Sequence, residues 1–194
     1  MKKLLITGFE PFGGESLNPS YEAVKRLPDE INGYSVTKLC IPVEFKKAAS
    51  IVMKKASEIS PDVILCIGQA GGRDAITPEL VGINLRYATI PDNVGYQPKD
   101  ELIIVGGADA YFSTLPVRKM SSAINGSGIP SRVSYSAGAY VCNDLLYTLL
   151  AGLEETETRV GFIHVPYVRE QNKEPCMDIN DIVKGLVTAI ENMD

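Results

Sequence analysis

Three short runs in this chain carry no polar alternation: KLLIT at 3–7, DVILCIG at 62–68 and RVGFIHV at 159–165. A strand with one wet face alternates apolar and polar residues, so these runs predict strands covered on both faces, as in parallel sheets. Between them the spacing is helical. Phe45, Ala49, Val52, Ala56 and Ile59 recur at helical intervals over 45–59. Leu145, Leu146, Leu149, Leu150 and Leu153 share one face within 142–155. Ile179, Ile182, Val183, Leu186, Val187 and Ile190 make 179–192 the clearest amphipathic helix. Asn18 can cap, and Pro19 can open, a helix over NPSYEAVKRL, and 116–125 predicts another. YSVTKLCIP (34–42), ELVGINLRYATI (79–90) and RVSYS (132–136) read as further strands, and ELIIV (101–105) as a short edge strand. Buried strands alternating with amphipathic helices give an α/β sandwich around a largely parallel sheet. A length of 194 residues, without internal repeat or linker, fits one domain spanning 1–194.

That architecture makes a geometric forecast. Ligands of open α/β sheets sit beyond the carboxyl ends of the parallel strands. The unusual loops all follow such ends: GFEPFGG after the first strand, GQAGGRD after DVILCI, SAGAYVC after RVSYS, with His164 closing RVGFIH. Phe9, Phe12, Gln69, Cys142 and His164 should therefore meet at one edge, with Glu79 starting from the same edge after a short loop.

Charge and cysteine usage narrow the chemistry. A net charge of −5 argues against nucleic acid or an anionic membrane surface as partner. No apolar run approaches the ~20 residues of a membrane helix. The opening MKKLLITGFEPFGG briefly imitates a signal peptide, but Thr7, Gly8, Glu10 and Pro11 break it; it reads as a buried strand, and the expected location is cytoplasmic. Cys40, Cys66, Cys142 and Cys176 form no C-x-x-C pair and the chain has one histidine, so neither a metal site nor a disulfide framework is expected.

The single histidine can be a core polar residue or a general base. Cys142 lies where a loop turns into a helix, a setting expected to favour its thiolate. Paired with His164 it becomes a nucleophile, and the ring needs a third group to hold it. Glu79 is best placed; Asp92, Asp144 and Glu170 are rivals. The bland alternative makes Cys142 an inert buried thiol. Cys66 and Cys40 read as structural, and Cys176 as a loop thiol without a base. The loop GFEPFGGESLNPS lacks the glycine order of a phosphate loop, and Glu10 would repel phosphate. Its two phenylalanines suit a neutral, flat ligand, unless they merely close the sheet edge.

In order and spacing, GFEPFGG, NPS, GQAGGR, TPE, IPDN-x-G-x-QP, STLP, AYVCN and GFIHVPY resemble the pyrrolidone-carboxylate (pyroglutamyl) peptidases, from residue 6 to about 171. The resemblance implies a three-layer α/β/α sandwich around a largely parallel, mixed and twisted sheet. It also implies a cofactor-free cysteine exopeptidase that removes N-terminal 5-oxoproline from peptides through a thioester acyl-enzyme. Its triad would fall on Glu79, Cys142 and His164. Its ring pocket would fall on Phe9 and Phe12, its polar contacts on Asn18 and Gln69, and its pocket wall on Ile90 and Val141. A homotetramer is implied as well. One departure stands out: the family's A-R-I-P-D-N is here Ala88-Thr89-Ile90-Pro91-Asp92-Asn93, so no cation stands at 89. Arg86 is a poor substitute by strand parity, and Arg73 is the other cation in range. Two further readings follow: a phosphate-dependent nucleoside transferase on a similar sheet, or a catalytically weak binder of pyroglutamyl peptides.

Overall fold

The computed structural model describes residues 1–194. In chain order its elements are β1 (Lys2–Phe9), α1 (Pro19–Arg26), β2 (Glu30–Ile31), β3 (Tyr34–Ile41), α2 (Lys47–Ile59), β4 (Val63–Gln69), β5 (Thr77–Pro78), β6 (Val81–Ile83), β7 (Ala110–Phe112), α3 (Val117–Gly126), α4 (Val141–Gly152), β8 (Arg159–Val165), β9 (Tyr167–Val168), β10 (Cys176–Met177) and α5 (Ile179–Glu191). The main sheet runs β2-β3-β1-β4-β8-β5. Strands β3, β1, β4 and β8 are parallel, with β2 and β5 antiparallel at the two edges.

Strand parity sorts the core into two layers. Leu4, Ile6, Val63, Leu65, Ile67, Ile163 and Val165 point to one face, where they pack with residues of α1, α3 and α5. Leu5, Ile64, Cys66, Val160 and Phe162 point to the other, against α2 and α4. Every one of these side chains is at most 1% exposed, which is why the runs carry no polar alternation. Helices on both faces of a mostly parallel, mixed sheet give the α/β class.

Three expected strands take a different form. Of 79–90 only Val81–Ile83 is a strand, and it pairs with β7 rather than with the main sheet. Its outer edge is held by a side chain: Asn143 Oδ1 accepts from Ile83 N–H, and Asn143 Nδ2 donates to the carbonyls of Ile83 and Leu85. Residues 132–136 lie beside 76–80 through isolated bridges at Ser131 and Ser134 and form no strand. Likewise 101–105 touches a partner strand only where Glu101 meets Arg86.

Candidate active site

The carboxyl ends of β1, β4 and β8 form one rim, and Gly68 and His164 are register partners on it. Residues 64, 66 and 68 of β4, like 160, 162 and 164 of β8, face the layer that contains α4. Cys142 is the second residue of α4. Its Sγ would lie 3.0 Å from a Cβ placed on Gly68, which sets the sulfur directly over the strand position beside His164. The same Cβ would sit 2.7 Å from Phe162 Cζ, and the Phe162 ring lies 4.7 Å from the imidazole, centroid to centroid. Thiol and imidazole thus share one face of the sheet, around one glycine that leaves them room.

Glu79 reaches the histidine by the antiparallel edge. Thr77 pairs opposite His164 and Pro78 opposite Ile163; Glu79 N–H then donates to Phe162 O. The Glu79 side chain is fully buried. Its Oε1 lies 2.7 Å from His164 Nδ1 and 2.7 Å from an Arg73 terminal nitrogen. A carboxylate can only accept, so Nδ1 carries the proton and Nε2, on the far side of the ring, is left with its lone pair. Burial alone would raise the Glu79 carboxyl. Hydrogen bonds and charge from His164, with the Arg73 guanidinium, outweigh it and hold the group below its ordinary range.

The thiol behaves differently from the sequence expectation. Burial first, then the Glu79 charge, push Cys142 above the ordinary cysteine range, and Arg73 opposes this only in part. The helix start was expected to favour a thiolate; in this apolar wall the neutral thiol is favoured instead, because desolvation penalises the charged form. Cys66, fully buried in β4, is pushed up to about 12 by the same cause.

A small cavity opens beside the sulfur, lined by Phe9, Phe12, Asn18, Val43, Gln69, Tyr140, Val141 and Cys142. Six of the seven residues named from sequence as nucleophile or pocket are therefore here, since Phe9, Phe12, Asn18, Gln69, Val141 and Cys142 all line it. Ile90 does not: it is 46% exposed and stands outside the lining. Val43 and Tyr140 line the cavity and were not foreseen. Their signal lay in position, since Val43 follows the carboxyl end of β3 and Tyr140 immediately precedes α4.

The rival carboxylates have other partners. Asp144 accepts from Arg86 Nε at 2.5 Å and from Lys46 N–H at 2.7 Å. Asp92 accepts from the N–H groups of Phe45, Val94 and Tyr96. Glu170 is exposed. The Pro91–Asn93 turn acts as a clamp on the cavity loops: Asn93 Nδ2 donates to Glu10 Oε1 and Pro11 O, Asp92 holds the 43–46 loop, and Tyr140 donates from its hydroxyl to Pro91 O.

Neither arginine weighed as a substitute for Thr89 is free. Thr89 is exposed. Arg86 is buried in its pair with Asp144, and Arg73 donates to Glu79 and Thr77 and, at 3.4 Å, to Ser136 O. The Tyr140 cap makes no side-chain hydrogen bond to the start of α4, so backbone N–H groups at Cys142 remain unclaimed by a capping side chain.

Residues 2–194 match the family described as pyroglutamyl peptidase. A pyrrolidone-carboxylate peptidase of Clostridium perfringens is 50% identical, over 97% of this chain and 92% of its own. The crystal structure of Bacillus amyloliquefaciens pyroglutamyl peptidase I superimposes with a TM-score of 0.95 at 44% identity, covering 100% of this chain and 97% of that one. The pyrrolidone carboxyl peptidase from Thermococcus litoralis reaches a TM-score of 0.95 at 37% identity, covering 100% and 93%. Agreement over the full length, in sequence and in fold alike, places this chain in the pyroglutamyl peptidase family.

Proposed function

We propose that the protein is a cysteine exopeptidase that removes N-terminal pyroglutamate from peptides, with Cys142 as nucleophile, His164 as general base and acid, and Glu79 as the group that orients the ring. The observation that carries this reading is the Glu79–His164 bond of 2.7 Å on the sheet face over which the Cys142 sulfur lies. Because the resting thiol is neutral, His164 Nε2 takes its proton as sulfur attacks the carbonyl carbon joining pyroglutamate to the next residue. The oxyanion formed is stabilised by N–H groups at the start of α4. Collapse breaks the C–N bond, and the imidazolium gives its proton to the departing amine, leaving a thioester. Water then attacks the thioester while Nε2 accepts its proton; sulfur leaves and pyroglutamate is released.

Phe9, Phe12 and Val141 supply apolar walls, and Asn18 and Gln69 the polar contacts to the lactam. An ordinary N-terminus carries an ammonium, whose burial unpaired among aromatic rings is costly; the lactam is neutral and enters. The test is turnover of a pyroglutamyl amide against the matching prolyl amide, with and without iodoacetamide, followed by mapping of the alkylated cysteine. Rapid turnover of the lactam alone, lost as Cys142 is modified, is expected. Equal rates on the two amides would contradict the neutral-pocket argument. The nucleoside-transferase reading has no support from the family match, and Glu10 keeps its carboxylate at the rim of the loop after β1. The weak-binder reading rested on Thr89, whose exposed side chain takes no part in the cavity.

Gly68 offers a second test. A methyl there would press on both the Phe162 ring and the Cys142 sulfur at the distances given above, so Gly68→Ala should cost about 1–3 kcal/mol of stability by overpacking. Turnover should fall more than stability does, because the displaced atom is the nucleophile. Urea melts and steady-state rates separate the two effects.

No helix is long and apolar enough to cross a membrane. All four cysteines are free thiols, which suits the reducing cytosol. Exposed Tyr87, Ile90, Val94, Leu102, Ile104 and Val105 are consistent with the homotetramer implied by resemblance.

A further inference from the structure

Gln171 lies outside the cavity lining, yet it sets what the cavity offers a ligand. It closes the 3-10 turn Arg169–Gln171 and is only 9% exposed. Its Oε1 accepts from Val168 N–H at 3.1 Å. A backbone N–H can only donate, so this bond fixes which end of the amide is oxygen. The Nε2 end therefore faces Gln69 Oε1 at 2.9 Å and Glu15 Oε2 at 3.4 Å. A second donor cannot occupy the place opposite Nε2. Gln69 must turn its oxygen toward Gln171, which leaves its Nε2 as the end free for the cavity it lines. Asn18 is oriented in the same sense. Its Oδ1 is taken by the N–H and hydroxyl of Ser20, and its Nδ2 donates to Glu10 O with one hydrogen to spare. Both amides at the cavity thus present donors.

We infer that Gln171 is a positioning residue that locks Gln69 as a hydrogen-bond donor, so that the cavity selects ligands by a ring carbonyl oxygen. The inference rests on the peptidase reading and supplies its selectivity: a lactam carbonyl meets donors, whereas a prolyl ring offers only an ammonium to them.

The test uses 2-pyrrolidinone as the probe and measures how well it protects Cys142 from iodoacetamide at pH 8. Protection is expressed for each protein relative to its own unprotected rate. Gln171→Leu frees the Gln69 amide to rotate and should raise the half-protecting concentration about tenfold, the scale of one hydrogen bond. Gln171→Glu should raise it further. Two N–H donors, from Val168 and Gln69, and the assay pH of 8 keep the new carboxyl ionised against the Glu15 carboxylate, whose charge Lys173 balances, and an acceptor there forces Gln69 to turn its oxygen into the cavity. A merely structural role gives the reverse order, because Gln171→Glu keeps an acceptor for Val168 N–H and Gln171→Leu does not. Reversed order, or protection unchanged in both variants, overturns the inference. If Gln171→Glu fails to fold by its thermal melt, Gln171→Leu decides: weakened protection with an unchanged melt supports the inference, and undiminished protection overturns it. A wild-type protein that 2-pyrrolidinone does not protect overturns the peptidase reading, and this inference with it.

Discussion

Cys142→Ala abolishes turnover of a pyroglutamyl amide, with an expected loss on the order of 10⁵ or more in kcat, while the fold survives. The loss is large because no other thiol can replace it. Cys66 is fully buried one strand turn below the rim and faces core. Cys40 is exposed on β3, and Cys176 sits beside Glu174, whose Oε1 accepts from its sulfur at 3.4 Å. The fold survives because Cys142 is only partly buried at a helix start and its removal creates little cavity. Rates and a thermal melt on the same preparation check both halves; a mutant that keeps its rate ends the nucleophile assignment. The resting protonation state adds a second observable. Since burial lifts the thiol above its ordinary value, alkylation of Cys142 in the ligand-free protein should rise with pH with its midpoint above ~8.5, where an unperturbed cysteine is half ionised. A plateau below that point would indicate a preformed thiolate and a different first step.

The parallel strands were legible in the sequence because burial on both faces leaves a plain mark: residues 63–68 and 160–165 have no polar position that water must reach. The helices were legible to within a few residues for the same reason, each burying one stripe. Residues 79–90 misled because the buried positions beside α4 are Gly82, Asn84 and Arg86, while the apolar Val81, Ile83 and Leu85 are only half-buried, and Asn143 replaces a neighbouring strand as hydrogen-bond partner. No periodicity distinguishes a side-chain amide from a strand edge. In the site, the rim positions of Phe9, Phe12, Gln69 and His164 followed from strand ends, and the same edge argument, with the family resemblance, favoured Glu79 while leaving Asp92, Asp144 and Glu170 as rivals. Glu79, Asp92 and Asp144 are all buried acids, and only three-dimensional pairing separates the one on the imidazole from the two that brace loops. The sign of the Cys142 shift was missed because a helix terminus is visible in sequence and the apolar wall around it is not.

His164→Gln should lower kcat by about 10³ or more, and Glu79→Gln by clearly less, within the ~10²–10⁴ range of general acid–base contributions. The ranking follows from Arg73. An amide at position 79 has one oxygen and one NH₂ group. The Arg73 guanidinium is a donor that cannot be reversed, and it lies 2.7 Å from the same Oε1 that holds His164. It therefore draws the amide oxygen to that place. Nδ1 keeps its acceptor, the imidazole keeps its tautomer, and Glu79→Gln forfeits only the negative charge that stabilises the imidazolium. Adding Arg73→Leu to Glu79→Gln frees the amide to turn its NH₂ toward Nδ1, moving the imidazole proton to Nε2, where it cannot accept from the thiol. The double variant should lose far more than the product of the single losses, a coupling read by the double-mutant cycle. Strict additivity would mean that Arg73 does not orient position 79. Stability supplies an independent readout. The Glu79 carboxyl is held below its ordinary value of about 4.3 in the folded protein. Its contribution is thus complete above that pH and is lost as pH falls through the lowered folded value. Glu79→Gln should remove this segment of the acid-unfolding curve, leaving a shallower dependence of stability on pH in that window, whatever happens to the rate.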